Sequence, residues 1–444
     1  MLIIIGILFI AAALLGAPLF VVLSGLAMAS FILADTGIVV LSEEHYKLAT
    51  NPHLITIPMF TFAGFLMAES QAAVRLVKVC RAWFGWMPGG MAIIVVISCA
   101  FFTTFTGASG VTIIALGGLL YPMLLDEGYD DDFSLGLITS SGSIGLLFPP
   151  SLPIILFGIV AATSIDKLFV AGILPGIVLI GVLGLYCVFR GVRSKVRKTK
   201  FDMKLALTSA WHAKWELLVP IVVLIAIYGF PDFMAPLWGA EEGTGLVTVA
   251  EASTICALYL LIVQVFIHKD IKLVSKDPKT PDLPKVIKES MVMVGAILII
   301  LGVALGLTNY LIQEEVPMKI LSLMQQHIES KITFLLMLTV FLLIVGCLMD
   351  IFSAIIVVVP LITPIALSYG VDPIHLGIIF LANLEIGYIT PPVGLNLFIS
   401  SLAFDKPVVQ LYKMAIPFLL LMLAALMIIT FVPELSLWLV KGMK

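Results

Sequence analysis

The sequence predicts an all-α polytopic membrane protein built from two inverted-topology repeats. First, 61% of its 444 residues are apolar and only 12% are charged, with a mean hydropathy of +1.16. Soluble domains have about 45–50% apolar and about 25% charged residues. Second, many segments approach the roughly 20 apolar residues that a transmembrane helix needs. Third, one pattern of Gly and Pro occurs twice at a fixed spacing.

The repeat becomes visible when the chain is aligned with itself. Residues 122–150 match residues 364–392 without a gap, 242 positions later, and eight of the 29 positions are identical. Shared Pro, Gly and Asp are informative, because an apolar composition does not supply them. The identical pairs are Pro122/Pro364, Leu125/Leu367, Gly128/Gly370, Asp130/Asp372, Ile144/Ile386, Gly145/Gly387, Pro149/Pro391 and Pro150/Pro392. We therefore predict two related halves.

The domain organisation follows from this repeat. We predict a first repeat over residues 1–200, a connector over 201–244 and a second repeat over 245–444. The connector holds one unpaired apolar segment, residues 217–229. A single extra crossing turns the second half upside down relative to the first. Inverted repeats are typical of secondary transporters, whose sites lie near the bilayer midplane where the halves meet.

The positions of the basic residues favour this inverted arrangement. Lys and Arg cluster within residues 74–86, 190–200 and 269–288, whereas residues 230–245 contain none. Placing all three clusters in the cytoplasm, as the positive-inside rule requires, gives the halves opposite orientations. The first apolar segment has no basic flank and continues past Pro18, so we interpret it as a spanning helix rather than a cleaved signal peptide.

The elements of the first repeat follow in chain order. Residues 74–86 predict an amphipathic helix suited to the membrane interface. Two short apolar arms at about 92–125 flank a Thr/Gly/Ser tip at 106–110, which predicts a re-entrant hairpin, because such a tip makes a poor external loop but a good buried one. A discontinuous helix at 133–163 and a continuous helix at 168–190 complete the repeat.

The second repeat contains the same elements in the same order. An amphipathic helix is predicted near residues 317–329. A hairpin at about 334–369 has its tip at residues 346–353. It is followed by a discontinuous helix at 375–404 and a final helix at 408–438.

The interruption of each discontinuous helix suggests a binding chemistry. In "SGSIGLLFPPS" and "LEIGYITPPVG", Gly permits the backbone to unwind and Pro-Pro prevents the helix from continuing. Free carbonyl oxygens at the end of the first half-helix suit Na⁺, and free amides at the start of the second half-helix suit an anion. Neither motif contains Lys or Arg, so dipoles and hydroxyl groups would have to hold an anionic substrate.

Two carboxylates lie inside these apolar segments. Asp350 is at the second hairpin tip and Glu385 is in the second interruption. A carboxylate at membrane depth costs roughly 2.5–3.5 kcal/mol, so each should have a partner. Both are candidate Na⁺ ligands, and Glu385 has the alternatives of snorkelling or facing a water-filled crevice.

The chain resembles the large membrane subunit of the tripartite ATP-independent periplasmic (TRAP) transporters. The matching stretches are residues 106–158 and "NLEIGYITPPVGLNLF" at 383–398. The resemblance implies an elevator-type, Na⁺-coupled importer of organic acids in the bacterial cytoplasmic membrane. It also implies a periplasmic substrate-binding protein and a small four-helix membrane subunit, which we expect to be a separate chain because this one starts at the first helix of the large subunit.

The resemblance also assigns site residues. The Na⁺ ligands would come from Thr106, Gly107, Ser109, Ser141, Gly142 and Gly145 in the first repeat, and from Gly346, Asp350, Ser353, Asn383, Glu385, Gly387 and Thr390 in the second. The substrate would lie between them, near Ser109, Gly110, Ser141, Pro149, Pro150, Thr390, Pro391 and Asn396.

Other function classes remain to be weighed. A stand-alone Na⁺/carboxylate symporter or Na⁺/H⁺ antiporter of related fold would need no binding protein. An intramembrane enzyme would need a Ser/His or Asp/Asp pair at membrane depth, and the sequence indicates neither. The five cysteines show no metal or disulfide spacing. We therefore expect no enzyme activity, no cofactor, and membrane lipid rather than nucleic acid as a further partner.

Overall fold

The computed structural model describes residues 8–9, 11, 17–34, 39–193, 201–229, 247–275, 277, 280–325, 328 and 330–442. The start of the predicted first helix, residues 194–200 of one basic cluster, residues 230–246 around the end of the connector, and Lys276 and Lys279 of another basic cluster lie outside the described residues. Within the described residues the chain is helical, apart from turns and one isolated β-bridge between Lys272 and Asp282.

The α-helices are numbered here in chain order. The first eleven are α1 (Leu19–Leu33), α2 (Val39–Ala49), α3 (Thr56–Ala68), α4 (Ala72–Phe84), α5 (Gly90–Thr106), α6 (Ser109–Asp126), α7 (Asp131–Ser141), α8 (Leu152–Val160), α9 (Ile165–Arg193), α10 (Met203–His212) and α11 (Lys214–Tyr228). The others are α12 (Val249–Leu261), α13 (Leu283–Gln313), α14 (Val316–Gln325), α15 (Lys331–Leu348), α16 (Ile351–Ser368), α17 (Pro373–Gly387), α18 (Leu395–Phe404), α19 (Val408–Phe431) and α20 (Glu434–Lys441).

Many of these helices are suited to cross a membrane. Among the described residues, seven are long and apolar enough, and the count rises to nine if each of two bent pairs is one span. Helices of this length and composition, in a chain that is 61% apolar, make this a multi-pass membrane protein.

Both Pro-Pro segments interrupt helical structure, as the sequence predicts. Between α7 and α8 the chain forms a short 3₁₀ turn at Ile144–Leu147, and the axis bends by 47° across the break. Helix α17 ends at Gly387 and α18 begins at Leu395, beyond the second Pro pair. The Pro149–Pro150 and Pro391–Pro392 bonds are both cis.

The helix breaks fall within both predicted tips, but only α5 packs closely on its following helix α6, whereas α15 packs mainly on α17 and only weakly on α16. Helices α5 and α6 are separated by residues 107–108, and α15 and α16 by residues 349–350. Their arms are 17 or 18 residues long, which is longer than the sequence suggests. A helix of 18 residues is about 27 Å long, close to the thickness of a hydrocarbon core. Arm length alone therefore does not separate a re-entrant hairpin from two crossings.

Residues shared between the predicted repeats occupy the same local structures. Gly128 and Gly370 both have positive φ, at +97° and +71°, a conformation that glycine adopts without steric cost. Asp130 and Asp372 each precede a helix, and their carboxylates accept hydrogen bonds from backbone N–H groups of its first turn. Each of these pairs therefore has the same structural role at two positions 242 residues apart.

The helices pack into two groups that meet near the hairpin tips. In the first group, α13 packs against α1, α2 and α3, and α3 packs against α12. In the second group, α18 packs on α6 and α8 packs on α16. The groups touch where α3 meets α5 and where α13 meets α16. At the first of these contacts, a Cβ added at Gly64 would lie 2.2 Å from the carbonyl oxygen of Phe105, so only glycine permits this approach.

Candidate functional site

A cluster of buried hydroxyl and carbonyl oxygens surrounds the first hairpin tip. The Thr103 hydroxyl lies 2.8 Å from the carbonyl oxygen of Gly142 and 2.7 Å from the Thr112 hydroxyl. The Thr106 hydroxyl is 3.5 Å from that of Thr112. These three threonines are almost completely buried, so the tip and the first helix interruption share an oxygen-rich, water-poor contact.

Glycine brings the interruption close to hairpin helix α5. A Cβ added at Gly145 would lie 2.2 Å from the carbonyl oxygen of Ala100 and 2.6 Å from the amide nitrogen of Thr104. The Thr104 hydroxyl is bonded to the Ala100 carbonyl at 2.8 Å and reaches the Gly145 carbonyl at 3.2 Å. At Gly107, the positive φ of +62° ends α5 and lets the chain reverse into α6.

The six residues assigned to the first Na⁺ site are all buried. These are Thr106, Gly107, Ser109, Ser141, Gly142 and Gly145. The hydroxyl of Ser141, like that of neighbouring Ser140, has no hydrogen-bond partner among the described residues. Buried hydroxyl groups are normally paired, so these oxygens are free to bind a ligand.

The second interruption also touches its own hairpin. A Cβ added at Gly387 would lie 2.7 Å from the Cα of Gly346. The Gly394 amide donates to the Cys347 carbonyl at 3.1 Å, and the amide of Ile351 donates to the Tyr388 hydroxyl. Gly346 and Gly387 lie 242 positions after Thr104 and Gly145, so corresponding positions make both contacts.

Asp350 has partners, but they belong to its own helix end. One carboxylate oxygen accepts from the amides of Phe352 and Ser353 at 3.0 Å each, and the other accepts from the Ser353 hydroxyl. The side chain caps α16 and its residue is exposed rather than buried. The cap accounts for an acidic residue at this tip without an ion, because a carboxylate is stabilised at a helix N-terminus.

Glu385 is the most deeply buried acidic side chain among the predicted site residues. It is 0% exposed, and neither carboxyl oxygen has a hydrogen-bond partner among the described residues. The amide oxygen of Asn383 is also unpaired, while its nitrogen donates to the Ile379 carbonyl at 2.7 Å. A buried carboxylate without a partner is unfavourable by several kcal/mol, so this site requires either a bound cation or a proton.

The two interruptions touch each other directly. The Ser143 hydroxyl donates to the backbone carbonyl of Glu385 at 3.2 Å, and these two residues are 242 positions apart. If two halves are related by a symmetry axis, corresponding residues contact each other at that axis, so this contact is compatible with the predicted inverted repeat. The contact therefore lies where the interruptions face one another.

The predicted substrate residues are divided between two places. Asn396 is buried, its amide nitrogen donates to the Thr139 carbonyl at 3.2 Å, and its amide oxygen is unpaired. A Cβ added at Gly110 would meet the Ile399 side chain at 2.6 Å, which places α18 against the first tip. Ser109 and Ser141 belong to this same region.

The two Pro pairs differ in burial. Thr390 and Pro391 are half-buried, and the Thr390 hydroxyl bonds to the Ile386 carbonyl at 2.9 Å. Pro149 and Pro150 are buried. Pro149 lines a cavity of about 210 Å³ with residues of α5 and with Pro220. Among the described contacts, none joins Pro149 to Thr390 or Pro391.

Several polar residues of this region are missing from the sequence prediction. They are Thr103, Thr112, Thr139, Ser143 and Ser400, all completely buried; the Thr139 hydroxyl donates to that of Ser400 at 2.8 Å. Thr103 and Thr112 stand one on each side of the predicted tip. Their hydroxyl groups within apolar helices were the signal available in the sequence.

An ion pair joins the segment after α18 to the start of α7. The Lys406 ammonium contacts the Asp131 carboxylate at 2.7 Å, and this hydrogen bond raises the pKa of Lys406. Among the described residues, no group of three or more His, Cys, Asp or Glu side chains could hold a metal ion. A cation here would bind hydroxyl, carbonyl and amide oxygens, with Glu385 as the one buried carboxylate.

The buried pair of His375 and Ser436 bears on the alternative of an intramembrane enzyme. His375 is 1% exposed, and its ring nitrogens lie 3.1 Å from the Ser436 hydroxyl and 3.3 Å from the Thr430 carbonyl. His375 is the third residue of α17, so it lies at a helix end and is buried there. These contacts fix α17 against α20 and the end of α19.

Comparisons with known proteins give one consistent result. Residues 4–435 match the family described as the tripartite ATP-independent periplasmic transporter, DctM component. The C4-dicarboxylate TRAP transporter large permease protein DctM of Pseudomonas aeruginosa is 33% identical over 89% of this chain and 86% of that protein. The isethionate TRAP transporter permease protein DctMQ of Oleidesulfovibrio alaskensis is 35% identical over 87% of this chain, which spans only 58% of that relative.

Two other comparisons extend this result. The ectoine TRAP transporter large permease protein TeaC of Halomonas elongata is 28% identical over 96% of both chains. Among solved structures, the YdaH transporter of Alcanivorax borkumensis has a TM-score of 0.62 over 90% of this chain and 88% of that one. The identity there is 14%, so this likeness supports the fold alone.

Proposed function

Because this chain belongs to the family of the DctM component of tripartite ATP-independent periplasmic transporters, we propose that it imports a small organic acid together with Na⁺. Its relatives are named as transporter permeases rather than enzymes, and membership implies solute import that depends on a periplasmic binding protein. The observation that carries Na⁺ coupling is the buried oxygen cluster between the first tip and the first interruption. Na⁺ is a hard cation and prefers such oxygen ligands.

The first Na⁺ site lies in this cluster. Thr106, Ser109 and Ser141 offer hydroxyl groups, and Gly107, Gly142 and Gly145 offer backbone carbonyls. The contact between the Thr103 hydroxyl and the Gly142 carbonyl fixes the distance between tip and interruption, which supports a preformed site. Ser141 and Ser140, with no partner among the described residues, have oxygens available for the ion.

The second Na⁺ site uses the corresponding part of the other repeat. Glu385 supplies the charge, Asn383 supplies an unpaired amide oxygen, and the interruption at Gly387 to Thr390 supplies carbonyl groups. Bound Na⁺ would neutralise the buried Glu385 carboxylate, which supports this assignment. Gly346, Asp350 and Ser353 lie beside this site at the tip, with Asp350 holding the start of α16 in position.

The substrate lies between the two sites. Helices α8 and α18 begin just after the Pro pairs, and free amides at a helix start favour an anion. Ser109, Gly110, Ser141 and Asn396 lie on one side, with Thr390, Pro391, Pro149 and Pro150 beyond them. Relatives are named for C4-dicarboxylate, isethionate and ectoine, which are small polar molecules with an acidic group. We propose the same class here.

The transport step follows from two inverted repeats. The contact between Ser143 and Glu385, the matching caps at Asp130 and Asp372, and the reciprocal packing of α18 on α6 and α8 on α16 support this symmetry. We propose that the hairpins and interrupted helices move as one body, in an elevator motion, against the group of α1, α2, α3, α12 and α13. Exchange of the two repeat conformations then exposes the site alternately.

The partners and location follow the family. We propose a separate small membrane subunit, a periplasmic binding protein, and a place in the bacterial cytoplasmic membrane. The isethionate relative is named DctMQ, and this chain spans 58% of its length.

Uptake into proteoliposomes tests this proposal. The chain and its small subunit are reconstituted, and a panel of small carboxylic and sulfonic acids is offered with and without binding protein, under an inward gradient of Na⁺ or of K⁺. Uptake that requires both Na⁺ and binding protein is the expected result. Uptake with Na⁺ alone would instead identify a stand-alone symporter, and uptake equal in K⁺ would exclude Na⁺ coupling.

A further inference from the structure

A basic cavity lies away from the transport site, between the amphipathic helix α4 and the connector helix α10. Its volume is about 620 Å³. Arg75, Lys78 and Arg81 line it from α4, His212 lines it from α10, and His268 lines it from the turn after α12. The spacing of Arg75, Lys78 and Arg81 puts all three on one face of a helix.

Only part of this positive charge is already neutralised. Arg75 lies 2.6 Å from the carboxylate of Glu216, which is completely buried, and 2.8 Å from that of Asp270. Arg81 lies 3.5 Å from Glu127 and stays 48% exposed. Lys78 is exposed and has no carboxylate partner among the described residues. The unpaired charge in the cavity therefore belongs to Lys78, while Arg81 is only loosely paired and remains 48% exposed.

The wall also contains an acidic residue, Asp202. One carboxylate oxygen of Asp202 accepts hydrogen bonds from the amides of Lys204 and Leu205, so its charge is directed at the start of α10. Arg75 is bonded to two carboxylates, so its guanidinium is held in place as part of the cavity wall. The site thus combines a held guanidinium with two basic side chains available to a ligand.

Aromatic side chains place this cavity at the level of lipid headgroups. Trp83 and Trp86 on or just after α4, and Trp211 on α10, are 40%, 48% and 67% exposed. Tryptophan is enriched at the membrane–water interface. The other amphipathic helix, α14, faces a cavity of about 340 Å³ whose described lining is entirely apolar, so the cavities beside the two amphipathic helices differ in charge.

We propose that this cavity binds the phosphate of an anionic phospholipid, with Lys78 and Arg81 as its ligands. Basic pockets between helices on the cytoplasmic side of membrane proteins suit anionic headgroups. The exposed tryptophans and the apolar wall at Leu205 and Ala82 favour a lipid over a soluble anion, because they suit its glycerol and acyl parts. The bound lipid joins α4 to α10 and so holds the amphipathic helix at the membrane surface.

Native mass spectrometry of the purified membrane complex tests this site. Phosphatidylglycerol is titrated against phosphatidylcholine of the same acyl chains, and inorganic phosphate and glycerol phosphate are added as soluble competitors. Each basic side chain near an anionic surface is worth roughly fivefold in binding. We expect Lys78→Gln with Arg81→Gln to weaken phosphatidylglycerol binding by roughly 25-fold, and Lys78→Gln alone by roughly fivefold.

The matched control is Lys319→Gln, which removes an exposed lysine from α14 and should leave binding unchanged. Lys78→Arg should retain tight binding, because the charge remains. Unchanged binding in the double variant would overturn the proposal, and so would equal binding of phosphatidylcholine. Displacement of the lipid by millimolar inorganic phosphate would assign the cavity to a soluble anion instead. Lys78→Gln touches no described ion pair, so its folding is not at risk.

Discussion

Substitution of Glu385 by Gln tests the second ion site. The carboxyl group is 0% exposed and both of its oxygens lack a partner among the described residues. If Na⁺ neutralises this group, Glu385→Gln should stabilise the Na⁺-free protein, because a buried Gln needs neither the cation nor the proton that a buried carboxylate requires. The same change should remove the part of the Na⁺ stabilisation that the second site contributes and leave the part from the first site.

The size of that stabilisation follows from ligand linkage. At a Na⁺ concentration 100 times the dissociation constant, a single site contributes about 2.7 kcal/mol to stability. The assay is the thermal unfolding midpoint of the purified membrane complex, measured across a Na⁺ titration with K⁺ held at constant ionic strength. We expect the unfolding midpoint of the wild type to rise with Na⁺ concentration. The midpoint of Glu385→Gln should start higher and rise less.

Glu289→Gln is the matched control, since Glu289 is a 41% exposed residue on α13 with only a 3.9 Å contact to Lys285. It should reproduce the wild-type titration. A Glu385→Gln variant with the wild-type Na⁺ response would refute the assignment of this carboxyl group as an ion ligand.

Three further predictions concern the first site, the arm helix and the second tip. Thr103→Val removes contacts of 2.8 and 2.7 Å and should raise the Na⁺ concentration for half-maximal uptake about tenfold, or ~1.4 kcal/mol; an unchanged value would place the ion elsewhere. Arg75→Gln removes the guanidinium partner of buried Glu216, leaving His268 at 3.4 Å and Gln264 at 3.5 Å, and should destabilise the complex by about 3–5 kcal/mol; adding Glu216→Gln should restore much of the unfolding midpoint, and no recovery would contradict the pairing. Asp350→Asn should preserve membrane expression, because Asn also caps helices, while weakening the Na⁺ dependence of uptake; a normal Na⁺ response would limit Asp350 to its capping role.

The sequence predicts the interruptions and tips well, because special residues determine them. Gly145 and Gly387 allow the close helix approaches, and the Pro pairs end the preceding structure. Asp130 and Asp372 cap helices for local reasons that a pattern can show. These features depend on neighbours in the chain, so they can be predicted from it.

The contacts between distant segments could not be predicted in the same way. The hydroxyls of Thr103 and Thr112 face the first interruption only because α5 and α6 fold back on each other. The sequence also suggests a buried role for Asp350, whereas capping of α16 leaves it exposed. Position along an apolar segment does not determine depth in the packed structure, since helix ends and lipid-facing surfaces share the same composition.

The pairing of Arg75 with Glu216 shows the same limit. The sequence assigns Arg75 to a basic cluster that sets orientation, but the structure pairs it with a carboxylate 141 positions away. Counting Lys and Arg residues predicts on which side of the membrane a segment lies. It does not identify the ion-pair partner of a particular side chain.

Simultaneous measurement of ²²Na⁺ and solute uptake in the same vesicles tests the central claim most directly. With chain, small subunit and loaded binding protein present, we expect Na⁺ to enter together with the organic acid, and both fluxes to stop when the binding protein is omitted. Solute uptake without accompanying Na⁺ entry would contradict the account.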